Sequence, residues 1–504
     1  MNEWATLVKT AVIGTGRGVA PITGGRSPLS RLLVAAQTDS AEQTLLRQAG
    51  LIAQYEQIGQ LPQRADPPHP TQHAYCSTQQ HPLTLMLASR YKELLPTYLA
   101  LLAEAEQSIT ARYLPNLLDY GATASHQAHA VVAVLGEHGR WLADQNPAWA
   151  YASTSAESWE GANRIWRNPK LQRRQALLRQ LRHRQPQLGR ELLASTWKSE
   201  IPAARLSMIR LLEIGLSSAD ESFLDAARSD RNNSVRREAI RLLCRLTDSK
   251  LMQRMTRATQ NVLRWDAQSN QLVVRFPMTI TRSLAQDGVP IQLAAKKNNK
   301  AILRAAQLSA MLHGVPLNVW SGRLGVSAET LINAIPNTNW PRTLTAAWIQ
   351  AAQNQRNTEW SRLLLAQLGI TRTNVKLVSI LTPADQDTLA TKLFETERNA
   401  PFTRGSQLPR LFVNLKGDWS PTCSHLFLTM FASYLSADPN RPVTHTIDNC
   451  LRRFARNCPP NLFNKASDTL SSLNGSNAWR NKIQTAINVI SFRSDMIRSI
   501  TSDQ

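Results

Sequence analysis

The chain has 504 residues, and 58 Lys and Arg against 36 Asp and Glu give it a formal net charge of +22. That balance favours a negatively charged partner. The absence of any run near 18 apolar residues excludes a helical membrane span, and five scattered cysteines (Cys76, Cys244, Cys423, Cys450 and Cys458) exclude a disulfide framework.

The opening MNEWATLVKTAVIGTG has no basic stretch leading into a long apolar core, so no signal peptide is expected and the cytoplasm is the default location. Residues 3–14 are predicted to form an amphipathic helix, with Trp4, Leu7, Val8, Ala11 and Val12 on its apolar face. Gly and Pro at short intervals break it over 15–28. GTGRG at 14–18 lacks the Gly-Lys-Ser/Thr ending of a phosphate loop and no strand precedes it, so it is read as a helix stop. Helical spacing resumes over 29–60 and ends at a Pro- and His-rich loop, 61–82. His69, His73, Cys76 and His81 fall there, but their spacing matches no zinc finger or ribbon, and neither metal nor cofactor is expected.

Helices follow over 83–155, with stops at Gly121 and Gly136. From 156 to 262 the sequence repeats itself. LLRQLRH at 177–183, MIRLLEI at 208–214 and AIRLLCR at 239–245 place Arg179, Arg210 and Arg241 at intervals of 31 residues. A fixed period of this size signals stacked helix pairs that share a core, and the fold class expected is all-α, a HEAT-like α-solenoid. In the last pair, Val235, Ala239, Leu242, Leu243 and Leu246 face inward and Ser234 is the expected N-cap. Strand formers at 271–283, with Pro277 among them, predict a short hairpin inside an insertion spanning 263–300. Helical spacing then runs through 301–504.

The charge is uneven. Residues 1–150 carry 10 cations and 11 carboxylates, whereas 151–300 carry 27 and 13. The densest basic stretch holds Arg164, Arg167, Lys170, Arg173, Arg174, Arg179, Arg182 and Arg184; with Arg210, Arg241 and Arg245 it forms the candidate surface for an acidic protein or for nucleic acid. If that surface is exposed, charge reversal at Arg179 and Arg182 leaves melting unchanged. Asp230 and Arg236 are the candidate rungs of a structural ladder between repeats. Trp166 or Trp197 facing Asp225 or Asp230 across a groove would be needed for base-excision chemistry. No hydrolase elbow, metalloprotease helix or Walker lysine is present, so no catalytic residue is assigned.

Several stretches together resemble a bacterial family catalogued only as a domain of unknown function. They are LVKTAVIGTGR at 7–17, YLPNLLDYG at 113–121, VLGEHGRWLADQNPAW at 134–149, and the dense block from Ser158 through Leu251; LHGVPLNVW at 312–320 and LKGDWSPTCSHLFL at 415–428 extend the likeness. The resemblance implies a HEAT-type repeat protein without enzymatic activity. It also implies partners encoded nearby: a MoxR-type AAA+ ATPase, a von Willebrand factor A protein and a SWIM zinc-finger protein. Members usually carry an acidic residue in the GTxR motif, where this chain has Gly16.

Overall fold

In a computed structural model of the chain, residues 3–17, 28–59, 80–88, 90–276, 280–292, 300–397, 402–403 and 405–501 are described. The metal-ligand types at His69, His73 and Cys76 lie outside them, as do Gly18 and most of the 61–82 loop. The fold is all-α with one small antiparallel hairpin, and the chain divides into two compact units, residues 1–68 and 69–504.

In the first unit the Glu3–Ile13 helix forms as its spacing predicts, but its apolar residues do not share one buried face. Leu7 packs with Leu33 and Ile52 in a small core, whereas Trp4, Val8 and Val12 are exposed.

The second unit is a succession of helices around one continuous core. The 31-residue period of the sequence falls on three neighbouring helical segments. The Leu171–Arg184 helix packs on Pro202–Ile209 and the 3₁₀ turn Arg210–Glu213 that continues it; Pro202–Ile209 packs on Asn233–Leu243. The helices bearing Arg179, Arg210 and Arg241 therefore lie side by side. The Asn233–Leu243 helix buries Val235, Ala239, Leu242 and Leu243 as the period predicts and adds Ile240, while Leu246 is half-buried. Its cap is Asn232 rather than Ser234: the Asn232 side-chain oxygen accepts from the amides of Ser234 and Val235 at 2.9 and 3.2 Å. An Asn at this position satisfies two amides that the first helical turn leaves without partners.

The hairpin begins earlier than its strand formers suggest. β1 (Leu263–Asp266) pairs with β2 (Gln271–Val274), so that Leu263 faces Val274 and Asp266 faces Gln271. The turn is closed by the Asp266 carboxylate, which accepts from Ser269 Oγ at 2.6 Å and from the Gln268 amide at 3.1 Å. Ile280 and Thr281 are not in a strand; Thr281 caps the short helix Arg282–Gln286 instead.

Helices from the two ends of this unit meet. The Asn477–Thr501 helix packs on Gln80–Leu87 and Leu95–Glu104. Tyr91 and Phe492 stack at 4.1 Å, Gln107 Nε2 donates to the Ile500 carbonyl at 3.2 Å, and Arg456 pairs with Glu93 at 3.0 Å. No helix among the described residues is long and apolar enough to cross a membrane.

Candidate partner-binding surface

The basic stretch 164–184 separates into three groups with different physical roles. Arg182 belongs to the core, which corrects its assignment to a surface. On the Leu171–Arg184 helix it stands four residues after Leu178 and beside Leu181, within the apolar stripe. Its side chain is fully buried and its guanidinium is saturated. Nε donates to the Ile214 carbonyl at 2.9 Å. Nη1 donates to the Pro186 carbonyl at 3.1 Å and to Asp220 Oδ1 at 2.9 Å. Nη2 donates to the carbonyls of Leu212 and Gly215 at 3.2 and 2.9 Å and to Asp220 Oδ2 at 2.8 Å. Arg190 adds a second cation to Asp220 at 3.0 Å. A buried charge persists only when it is paired and its donors are satisfied, and this one holds the turn after Glu213 against the preceding repeat. Gly215 completes the arrangement. Its φ is +56°, and a Cβ there would lie 2.8 Å from the Arg182 carbonyl oxygen.

A second group forms a ladder with the same period, but through other residues than Asp230 and Arg236 alone. Arg174 pairs with Glu200 and lies over the Trp166 ring. Thirty-one residues on, Arg205 pairs with Asp230 at 2.8 Å and lies over the Trp197 ring. Arg236 donates to the carbonyl oxygens of Asp230 and Arg231, at 2.8 and 3.1 Å, not to the Asp230 carboxylate. Each rung fastens an arginine–indole pair of one repeat to a carboxylate beyond the next turn. The paired tryptophans Trp166 and Trp197 are the sequence signal that marks this ladder.

The Trp and Asp residues named for base-excision chemistry are engaged in structural contacts. Trp166 is buried, with its N–H donated to Thr196 Oγ1 at 2.9 Å. Asp225 is held by Arg228 and Asp230 by Arg205. Arg241 and Arg245 are likewise engaged, at 2.8 and 2.5 Å from Glu213, and Arg241 also reaches Glu238 at 2.7 Å. Arg210 is exposed and 3.9 Å from Glu238. Arg184 shares Glu157 with Arg140. Arg179 is half-buried beside the stacked rings of His129 and His183, whose centroids are 4.1 Å apart, and its Nε has no hydrogen-bond partner.

The third group is not engaged in ion pairs among the described residues. Arg164, Arg167 and Lys170 are exposed, Arg173 is half-buried, and none has a carboxylate within 4 Å among the described residues. Arg164 and Arg173 reach a cleft of about 250 Å³ where the Trp159–Trp166 and Leu171–Arg184 helices meet the 3₁₀ turn Pro147–Ala152. Its wall is mainly apolar, with Ala143, Ala148, Ile165 and Ala176, and its polar lining includes Asn146 and Asn168 as well as the two arginines. Asp144, the cleft's one carboxylate, is occupied by Ser153 and Thr154 hydroxyls. The arrangement suits a carboxylate carried on a short apolar stem, held by charge-assisted hydrogen bonds while its stem leaves water.

Nucleophilic chemistry has no foothold at the four described cysteines. Cys244, Cys423, Cys450 and Cys458 are buried, and burial pushes their thiols up to about 12, so thiolate is scarce at neutral pH. Among the described residues no three His, Cys, Asp or Glu side chains are placed to hold a metal ion.

Packed helices fastened by internal ion pairs, with unpaired arginines around a small cleft, define the class: an all-α protein with a cationic patch on its surface. The chain belongs to the family of unknown function DUF5691, whose profile matches residues 6–500. No curated protein and no solved structure matches it.

Proposed function

We propose that this chain is a non-enzymatic, HEAT-like helical scaffold of the cytoplasm that binds acidic segments of protein partners through Arg164, Arg167, Lys170 and Arg173. The observation that carries the reading is the split among the arginines. Those facing a carboxylate fasten the repeats together, while those beside the 147–176 cleft have none. An unpaired guanidinium at a half-apolar cleft fits an Asp or Glu side chain of a partner better than a nucleic-acid backbone, which needs a longer cationic lane and exposed stacking faces. Trp159 is the exposed indole nearby, whereas Trp166 is buried and Trp197 is half-buried under Arg205. The family likeness adds a setting, an adaptor between a MoxR-type AAA+ ATPase and a von Willebrand factor A or SWIM protein.

The test is a fluorescence-anisotropy titration with a labelled Asp- and Glu-rich peptide and with single-stranded DNA of equal charge. The peptide is expected to bind more tightly, and Arg164→Gln with Arg173→Gln to weaken it about tenfold or more without shifting the melting temperature. Tighter DNA binding, or peptide binding indifferent to the double variant, overturns the reading.

A further inference from the structure

A second cationic cleft lies where the repeat array meets the C-terminal helices, and nothing in the reading above uses it. It measures about 350 Å³ and is lined by Arg241, Arg356, Lys376 and Lys416, with one carboxylate, Glu213. These residues come from five places in the chain: the 3₁₀ turn Arg210–Glu213, the Asn233–Leu243 helix, the end of the Pro341–Gln355 helix, the Val375–Ile380 turn, and the loop after Leu408–Asn414. Bringing like charges together from such distant segments opposes folding unless something compensates them. Glu213 compensates part. It lies 2.8 Å from Arg241, 2.5 Å from Arg245 and 3.4 Å from Arg356. Burial alone would raise its carboxyl, but the hydrogen bonds and charges of Arg241 and Arg245 override that and hold it below the ordinary range. Lys376 and Lys416 are exposed and have no carboxylate within 4 Å among the described residues.

Arg356 is placed by an unusual backbone. It closes the Pro341–Gln355 helix at φ 49°, a left-handed conformation rare outside glycine, with its amide donating to the Ala352 carbonyl. Its charge offsets the negative end of that helix, which leaves the two lysines as the uncompensated pair. The rest of the lining is hydrogen-bonding: Gln350, Gln353 and Ser379, with Asn354 turned inward and accepting from Gln350 Nε2 at 2.9 Å. Ile380 is the apolar side chain of the lining, and among the described residues no aromatic ring lines the cleft on which a base would stack.

The geometry points to a binding site for a small multivalent phosphate anion, a di- or triphosphate gripped by Lys376, Lys416 and Arg356 with amide and hydroxyl donors around it. The ligand chemistry has two sources, an inorganic polyphosphate or the phosphate end of a nucleotide. Lined without a ring, the cleft recognises the phosphates and leaves a base in solvent, so both sources bind with similar affinity.

Isothermal titration of the full chain at low salt with tripolyphosphate, with ATP and with citrate tests this. Tripolyphosphate and ATP are expected to bind within a few-fold of each other and citrate more weakly. Lys376→Gln with Lys416→Gln removes no ion pair seen in the structure, so the variant keeps the parent melting temperature, and it is expected to lose about tenfold or more in phosphate affinity. The Arg164→Gln, Arg173→Gln protein serves as the control, binding phosphate like the parent, so failure of the peptide site and failure of this one are told apart. No heat with tripolyphosphate, or equal affinity in the lysine variant, overturns the proposal; a large preference for ATP over tripolyphosphate overturns the claim that the base is not read.

Discussion

At the scale of single residues, Arg182 shows why a count of arginines misreads a surface. Its six hydrogen bonds and its contact with Asp220 make it a core residue that happens to be charged. Charge reversal there is therefore expected to unfold the protein rather than leave its melting unchanged. Arg182→Met keeps the stem volume and removes the charge, stranding Asp220 with Arg190 alone; it is expected to cost about 3–5 kcal/mol. Arg164→Met, on the open face, should stay within about 0.5 kcal/mol of the parent. Urea titrations of both proteins decide the point, and a loss under about 1 kcal/mol at Arg182 would mean that the buried pair is not holding the repeat. His129 and His183 offer a second residue-level outcome. Burial first, then the neighbouring charges of His183 and Arg179, lower the His129 pKa, and burial and Arg179 lower that of His183. Both rings are thus neutral in the fold at a pH where the unfolded chain already takes up protons. The stabilisation is fully present above the ordinary His value of about 6.5 and is lost as pH falls from there through the folded values. Melting temperature should drop between pH 7.5 and pH 5, and His129→Gln with His183→Gln should flatten that slope; an unchanged slope would show that other groups set it.

At the scale of elements, the 31-residue period and the apolar stripe suffice to place a helix and its inner face. Leu242 is fully buried among Val235, Ala239 and Leu243, so Leu242→Ala is expected to cost about 2–5 kcal/mol. Asn232→Ala removes an acceptor for two amides and is expected to cost about 1 kcal/mol. Chemical denaturation of the two variants would separate a core position from a cap by that difference. What the pattern alone does not convey is who pairs with whom. Arg174 and Arg205 lie flush with the stripe, and their carboxylates, Glu200 and Asp230, sit beyond the next turn; spacing along one helix carries no record of a partner on another. The signal was present for Arg182, whose position four residues after Leu178 puts it on the buried arc. The hairpin illustrates the same limit. Gln271–Val274 reads as a strand, but its partner Leu263–Asp266, equally short, carries Arg264 and Asp266 and is too polar to announce itself before pairing is seen. The cleft lined by Arg356, Lys376 and Lys416 is less legible still, because it is assembled from segments distant along the chain.

At the scale of the 69–504 unit, contacts run beyond nearest neighbours. An open stack of helix pairs gains stability pair by pair and frays from its ends. Here the last helix lies against the first ones, so the terminal elements protect each other. Asp287 does similar work in the middle, where its buried carboxylate accepts from Arg228 at 2.8 Å and from Arg254 at 2.7 Å and ties the hairpin insertion to two helices of the array. Ten arginines of 151–300 are engaged in ion pairs, among them those that tie neighbouring helices together. Closure has a measurable consequence. Phe492 is nearly buried against Tyr91, and Phe492→Ala is expected to cost about 3–5 kcal/mol. If the ends of the unit are coupled, hydrogen exchange in that variant should accelerate together in Leu95–Glu104 and Asn477–Thr501, while Leu171–Arg184, in the middle of the array, keeps its protection. Acceleration confined to the Asn477–Thr501 helix would show that the two ends touch without stabilising one another, and the unit would then behave as an open stack.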